Sequence, residues 1–306
     1  MADGWRVRTV LWEGRSDGPG SLLFITGRGD FLEKYCETFH DLVDAGWGVA
    51  SFDWRGQGLS GRQGKSGMHG HSDGFENWLA DLDALIGWFR ASLPPPFYAM
   101  AHSMGGHLLQ RHLAGENGEF ARAVLLSPMF GVTARPIGAP MARKLARLMV
   151  RLGQGGRFVP GGGPYVAGAA GSPRQLMLTS DPERYLDESW WVSQNPALAL
   201  GSVTYGWLEA AFRSLDALLE PPAQLRGTGE GAGSAPALQR ITTPMLVLIP
   251  EADALVDNSA TQRAVASMAC ARLEVFPGAA HELLREASGI RARVLARATA
   301  FLQNGE

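Results

Sequence analysis

The stretch Phe97-Tyr98-Ala99-Met100-Ala101-His102-Ser103-Met104-Gly105-Gly106-His107 runs an apolar strand into a serine with small neighbours and then into a helix. That pattern is a nucleophile elbow. The sharp turn exposes the serine hydroxyl at the sheet's edge, and small residues two before and two after it, here Ala101 and Gly105, avoid collisions with the adjoining strand and helix. Glycine is usual at the first position, and alanine adds one methyl. A serine hydroxyl needs a base to take its proton, and the base needs a third group to hold its tautomer. Pro244-Met245-Leu246-Val247-Leu248-Ile249-Pro250-Glu251-Ala252-Asp253 reads as a strand ending in acids, and Val275-Phe276-Pro277-Gly278-Ala279-Ala280-His281 as a strand followed by a loop histidine. Ser103, Asp253 and His281 thus form the candidate triad, in a chain order known for such elbows. Glu251 and Asp257 lie near the same strand end and compete for the acid role. His102 and His107 belong to the elbow and its helix, whereas the base approaches from another loop.

Acyl transfer through such a serine also needs donors for the oxyanion. The helix opening at Met104 points backbone amides and its positive end at the site. The loop Thr26-Gly27-Arg28-Gly29-Asp30, after the strand Ser21 to Ile25, supplies a second donor. The amides of Arg28 and Met104 are the expected pair, worth roughly 3 kcal/mol each. The glycines of this loop lack both the P-loop lysine and the dinucleotide spacing, so nucleotide binding is a weak reading. No metal or organic cofactor is required.

Those side chains must be held by a framework, and the first half of the chain supplies one. Short apolar runs alternate with amphipathic helices, the pattern of a mostly parallel sheet covered on both faces. Strands are expected at Val7–Leu11, Ser21–Thr26, Trp47–Asp53, Phe97–His102 and Ala121–Ser127, and helices at Phe31–Asp44 and Phe75–Ser92. After Met129 the rhythm breaks for about a hundred residues, longer than an ordinary connection. A helix at Pro140–Leu152, a Gly-rich stretch at Gly153–Pro173, an aromatic helical portion at Asp181–Leu219 and a Gly/Ser/Ala-rich linker at 227–235 follow one another. Strands at Met245–Ile249 and Arg272–Phe276 and a helix at Ile290–Leu302 then resume the alternation. The expected organisation is a core from 1–130 and 240–306 with an inserted subdomain over 131–239.

Composition narrows the classes further. The 306 residues are 45% hydrophobic and 19% charged with a net charge of -2, which suggests neither a polyanion-binding surface nor a disordered acidic chain. No nucleic-acid partner is expected. Cys36 and Cys270 read as two buried thiols. Met1–Arg8 lacks a basic segment followed by an apolar run, and the longest apolar runs fall well below the roughly 20 residues of a membrane span. A soluble, cytoplasmic protein is expected.

Asp53-Trp54-Arg55-Gly56-Gln57-Gly58-Leu59-Ser60 resembles the D-x-R-G-x-G-x-S signature that follows the fourth strand of α/β-hydrolases. Together with the elbow, Asp253 and His281, it makes nearly the whole chain similar to that superfamily. More narrowly, Thr26 to Tyr35, the Trp-Arg-Gly-Gln-Gly-Leu-Ser run and Leu178 to Phe212 resemble the bacterial lysophospholipase L2 and monoacylglycerol lipase group. The resemblance implies an α/β-hydrolase fold, serine esterase chemistry on a single-chain lipid, lysophospholipid or monoacylglycerol, and an insertion that acts as a cap. Thr26-Gly27 departs from the His-Gly that usually opens the monoacylglycerol lipase loop. The Asp53–Ser60 run is expected to build a tight turn behind the elbow and stands outside the catalytic set. Small-ester hydrolases and aminopeptidases share the triad, and a non-catalytic binding protein would have no physical reason to keep all three residues.

Within the insertion, Trp190, Trp191, Tyr205, Trp207 and Phe212 either line an acyl pocket or pack the cap together. Met141, Leu145, Leu148, Met149 and Leu152 alternate at helical spacing with Arg143, Lys144, Arg147 and Arg151. Such a basic amphipathic helix either covers a core or makes peripheral contact with an anionic lipid surface.

Overall fold

Runs such as Ser21-Leu22-Leu23-Phe24-Ile25 have no polar face to offer water, and they become strands buried on both sides. The computed structural model describes residues 1–64, 66, 68–115, 118–220 and 235–305. Among the described residues seven strands form one sheet: β1 (Thr9–Trp12), β2 (Ser21–Ile25), β3 (Gly48–Phe52), β4 (Phe97–His102), β5 (Arg122–Leu126), β6 (Met245–Pro250) and β7 (Ala271–Phe276). Their spatial order is β1-β3-β2-β4-β5-β6-β7. Only β1 runs antiparallel to its neighbour β3, and the remaining pairs are parallel.

Alternate residues of each strand feed two cores. On one face Leu22, Phe24, Met100 and Leu246 meet α1 (Cys36–Asp44) and α9 (Ser288–Asn304) through Phe39, Leu42, Val294 and Phe301. On the other, Leu23, Ile25, Ala99 and Val247 meet α2 (Glu76–Ser92) and α3 (Met104–Leu113). Between β5 and β6 the chain leaves the sheet to form α4 (Gly138–Arg151), α5 (Pro173–Leu178), α6 (Pro182–Gln194) and α7 (Tyr205–Leu219). After β6 comes α8 (Asn258–Ala266). Trp207, Phe212 and Leu215 of α7 join the same apolar cluster as α2 and α3, and α4 packs on α7. The insertion is thereby fastened to the sheet over the end where β4 delivers Ser103.

The turn after β3 is built around the Asp53 carboxylate, which accepts from the amides of Leu32 and Leu59 at 3.0 and 2.8 Å and from Arg8 Nε at 2.7 Å. Gly58 has φ +51°, and a Cβ there would lie 2.2 Å from that carboxyl group, so only glycine fits.

Several details differ from the sequence expectations. The helix expected over Phe31–Asp44 opens as a 3₁₀ turn at Leu32–Tyr35 before α1 begins, and this turn buries Lys34. The portion Asp181–Leu219 is two helices, because Pro196 and the segment to Thr204 interrupt it. The thiols are not both buried: Cys36 is exposed and Cys270 partly so. α1 turns Thr38, Phe39 and Leu42 to the sheet, which leaves Cys36 on its outer side. The expected linker at 227–235 lies outside the described residues except for Ala235. Among the described residues no helix is long and apolar enough to cross a membrane.

Candidate active site

β4 ends at His102, and Ser103 takes φ +52°, ψ -117°, a conformation costly for any residue with a Cβ. The turn is clamped on both sides: Ser103 N donates to Leu126 O at 2.9 Å, and Met129 N donates to Ser103 O at 3.0 Å. A Cβ on Gly105 would lie 2.3 Å from Thr26 O, so the elbow's small residue is set by the approach of α3 to the loop after β2.

The loop after β7 brings His281 over the serine. Ser127 Oγ donates to the His281 carbonyl at 2.8 Å and fixes the loop's height. His281 Nε2 lies 3.0 Å from Ser103 Oγ, and His281 Nδ1 lies 2.7 Å from Asp253 Oδ2. An ionised carboxylate can only accept, which puts the ring proton on Nδ1 and leaves Nε2 to accept from the hydroxyl. Asp253 Oδ1 is itself held by the amides of Leu255 and Val256 at 2.8 and 3.0 Å. Burial works against the His281 imidazolium, but the Asp253 charge and hydrogen bond outweigh it and hold the imidazole pKa above the ordinary histidine value of 6.5. Burial likewise opposes the Asp253 carboxylate, and His281 with the two amides holds its pKa below the usual value.

The rivals for these positions have other employment. Asp257 caps α8 through the amides of Ser259 and Ala260 at 2.9 and 3.2 Å, and Glu251 lies exposed. His107 is buried against Ser214 Oγ at 2.7 Å, and burial followed by the Arg111 charge drives its pKa down to about 3. His102 turns its Nδ1 away from the serine, to 3.1 Å from both Asp30 Oδ2 and Tyr35 Oη.

In the loop after β2, Gly27 N donates to Asp30 Oδ2 at 2.8 Å and Gly29 N donates to Gln57 Oε1. The amide of Arg28 sits between these two anchored neighbours, and Arg28, Met104 and Ser103 border one cavity.

Asp30 also belongs to a cluster that sequence reasoning missed. Lys34 Nζ is buried within 2.7 Å of Asp30, 2.8 Å of Glu282 and 3.2 Å of Glu188, and Arg285 Nη1 donates to Glu282 at 2.9 Å. Although burial disfavours both carboxylates, Lys34 holds the Asp30 pKa well below its usual range and, with Arg285, draws Glu282 down to about 2. The cluster ties the Gly27 loop, the residue before Ser103 and the residue after His281 to one ammonium. Its signal in the sequence was Asp30 and Lys34 four apart in an apolar segment, and Glu282 directly after the loop histidine.

The cavity above Ser103 measures about 620 Å³. Val132, Leu145, Val159, Leu198 and Leu208 give it an apolar wall, and Tyr205 and Trp207 of α7 stand in that wall. Trp190 and Trp191 do not line it. α6 turns Tyr185, Glu188 and Val192 inward, which leaves Trp190 54% exposed and edge-on to Trp191 at 4.7 Å between ring centroids. Trp191 packs on a separate small cluster with Phe31 and Leu198, and Phe212 lies under Arg143.

The family model described as serine aminopeptidase, S33, matches residues 19–288. The chain belongs to this family. Its members are hydrolases, and the elbow, the acid and the loop histidine all fall inside the matched span. This S33 family member is 30% identical over 290 residues to lysophospholipase L2 of Escherichia coli strain K12, covering 90% of this chain and 77% of that one. It is 29% identical over 283 residues to a probable lysophospholipase L2 of Haemophilus influenzae, covering 92% and 83%. Among solved structures, a soluble variant of the monoglyceride lipase of Saccharomyces cerevisiae superposes with a TM-score of 0.70 at 14% identity, covering 97% of this chain and 94% of that one. That likeness is one of fold, and it makes the sheet and its flanking helices an α/β-hydrolase fold.

Proposed function

We propose that the protein is a serine carboxylic ester hydrolase that cleaves a single-chain lipid ester, lysophospholipid or monoacylglycerol, through an acyl-enzyme. Ser103 is the nucleophile. His281 takes its proton, returns it to the leaving alcohol and then activates water, and Asp253 holds the imidazole. The amides of Arg28 and Met104 receive the oxyanion. The segment 131–239 acts as a cap whose Tyr205 and Trp207 help wall the acyl chamber. The observation that carries this reading is the hydrogen-bonded line from Asp253 through His281 to Ser103 opening on an apolar cavity of about 620 Å³. The names of the relatives support the lipid ester over other acyl substrates.

The family's description raises the aminopeptidase alternative. A free substrate amine would need an uncommitted carboxylate, and Asp30, Glu188 and Glu282 in the cavity wall are all engaged by Lys34. That favours the ester. The cap also meets an anionic lipid surface through the outer side of α4.

Two measurements test the proposal. Rates on lysophosphatidylcholines and monoacylglycerols of increasing chain length are compared with rates on p-nitrophenyl esters and aminoacyl anilides, and a rise with acyl length is expected. A flat series, or faster anilide cleavage, would overturn the substrate class. A fluorophosphonate probe labels the folded protein and not Ser103→Ala, and absence of label on the wild type would overturn the mechanism.

A further inference from the structure

The charged residues around the cavity do not balance. Asp30, Glu188 and Glu282 converge on Lys34, and Arg285 shares Glu282. Arg28 makes no ion pair among the described residues. Its guanidinium donates once, from Nη2 to the carbonyl of Gly201, while Nε is buried with no acceptor. Arg174, on α5 in the cavity lining, pairs with Glu188 at 3.6 Å, and its side chain is 57% exposed. Trp207 Nε1 is a second buried donor without an acceptor, and Arg28, Arg174 and Trp207 all border the cavity. The carboxylates of this wall, Asp30, Glu188 and Glu282, are engaged by Lys34, and Arg28 and Trp207 keep buried donors without an acceptor among the described residues. The Arg28 and Arg174 side chains belong to the lining of one cavity, and burial first, then the Arg174 charge, pulls the Arg28 pKa down to about 10 against the opposing charges of Asp30 and Glu188. An anion placed between two guanidinium groups offsets their like charge and offers each a charge-assisted hydrogen bond.

Position gives the anion a chemical identity. Arg28 is the residue whose amide, on the proposed mechanism, faces the ester carbonyl, so its side chain starts beside the reacting group, and its guanidinium lies against Gly70 and Gly201 in the wall. In a lysophospholipid, three carbons and two oxygens separate that carbonyl from phosphorus, which sets the phosphate a short step from the ester on the side of the leaving alcohol. Arg28 and Trp207 also border a second void of about 10 Å³, with room for a single water at most, so the phosphate has to sit in the large cavity, within reach of Arg174.

We propose that Arg28 and Arg174 form an anion subsite for the phosphate of the head group, making the enzyme selective for lysophospholipids over monoacylglycerols. This rests on the lipid ester reading, so its test avoids lipid hydrolysis. Turnover of p-nitrophenyl butyrate by each variant reports inhibition by octylphosphocholine, by 1-O-octylglycerol and by inorganic phosphate, none of which carries a carboxylic ester to cleave. In the wild type octylphosphocholine is expected to inhibit at least tenfold more tightly than 1-O-octylglycerol or inorganic phosphate. In Arg174→Gln its inhibition constant rises about tenfold while that of octylglycerol stays within twofold. Arg28→Gln is expected to do the same. Should that variant unfold, the exposed Arg174 carries the test. Equal inhibition by the charged and uncharged octyl compounds, or parallel shifts of both in Arg174→Gln, overturns the subsite. Phosphate inhibiting as tightly as octylphosphocholine overturns the head-group assignment. Failure of the wild type to cleave any long-chain ester overturns the substrate reading instead, and leaves these inhibition constants readable.

Discussion

Asp253 and burial pull His281 in opposite directions, and the pH dependence of catalysis should display the contest. The base must be neutral to accept the serine proton. Its pKa is held above 6.5, so kcat/KM is expected to fall as pH drops through a value above 6.5. In Asp253→Asn the largest opposing charge is gone, and burial, countered only by the Glu282 and Asp30 charges, favours the neutral ring more than before. The acid limb then moves to lower pH while kcat drops about 10⁴-fold, because the tautomer is no longer enforced. An acid limb that stays where it was in this variant would remove Asp253 from the role. At this scale the sequence was legible wherever chemistry leaves a local pattern: small residues around Ser103, and a strand end or loop for the candidate acid and base that lie beside it. It was illegible where the partner is distant. Lys34 meets Glu188 and Glu282 only after the insertion and the last loop have folded, and nothing in Trp190-Trp191 shows that α6 turns its other side inward.

Elements impose their own tests. Gly105 and Gly87 are both helical glycines, yet they should respond oppositely to alanine. At Gly105 the new methyl would press on the carbonyls of Thr26 and Ile25 at 2.3 and 2.8 Å, so Gly105→Ala should cost about 1–3 kcal/mol as overpacking. Gly87 lies on the exposed side of α2 with nothing within 4 Å of its would-be Cβ. There alanine should gain about 1 kcal/mol from helix propensity. Urea denaturation of the two variants checks both signs, and a stabilised Gly105→Ala would refute the close approach of α3 to the loop after β2. Lys34→Met leaves three carboxylates around a missing ammonium and should cost about 3–5 kcal/mol, read as a lowered thermal midpoint. Strands and long helices were legible because burial on two faces or one stripe leaves a period in the sequence. Their ends and breaks were set by contacts instead, as in the 3₁₀ turn that carries Lys34 inward.

At the scale of the whole molecule, the insertion between β5 and β6 has an inner and an outer side, and α4 belongs to both. Ala142 and Ala146 are buried and Leu145 reaches the cavity, while Met141, Leu148 and Leu152 are 54%, 52% and 62% exposed on one outward stripe, with Ile137 beyond the helix start at 48%. Arg143 is occupied by Asp216 and the Phe212 ring, but Lys144 and Arg151 flank the stripe in the open. Large apolar residues carried outward beside basic ones are the pattern of a helix that lies on a lipid surface. Seated on an anionic bilayer, the stripe would bury apolar surface, the flanking cations would meet lipid phosphates, and the cavity mouth would lie beside the lipid it draws from. The wild type should therefore sediment with phosphatidylglycerol-containing vesicles and less with phosphatidylcholine alone. Removing two apolar contacts in Met141→Glu/Leu148→Glu should lower the partition coefficient at least tenfold, since each is worth about 1.5 kcal/mol or more when fully buried. Equal sedimentation of the double variant and the wild type would assign the stripe to water.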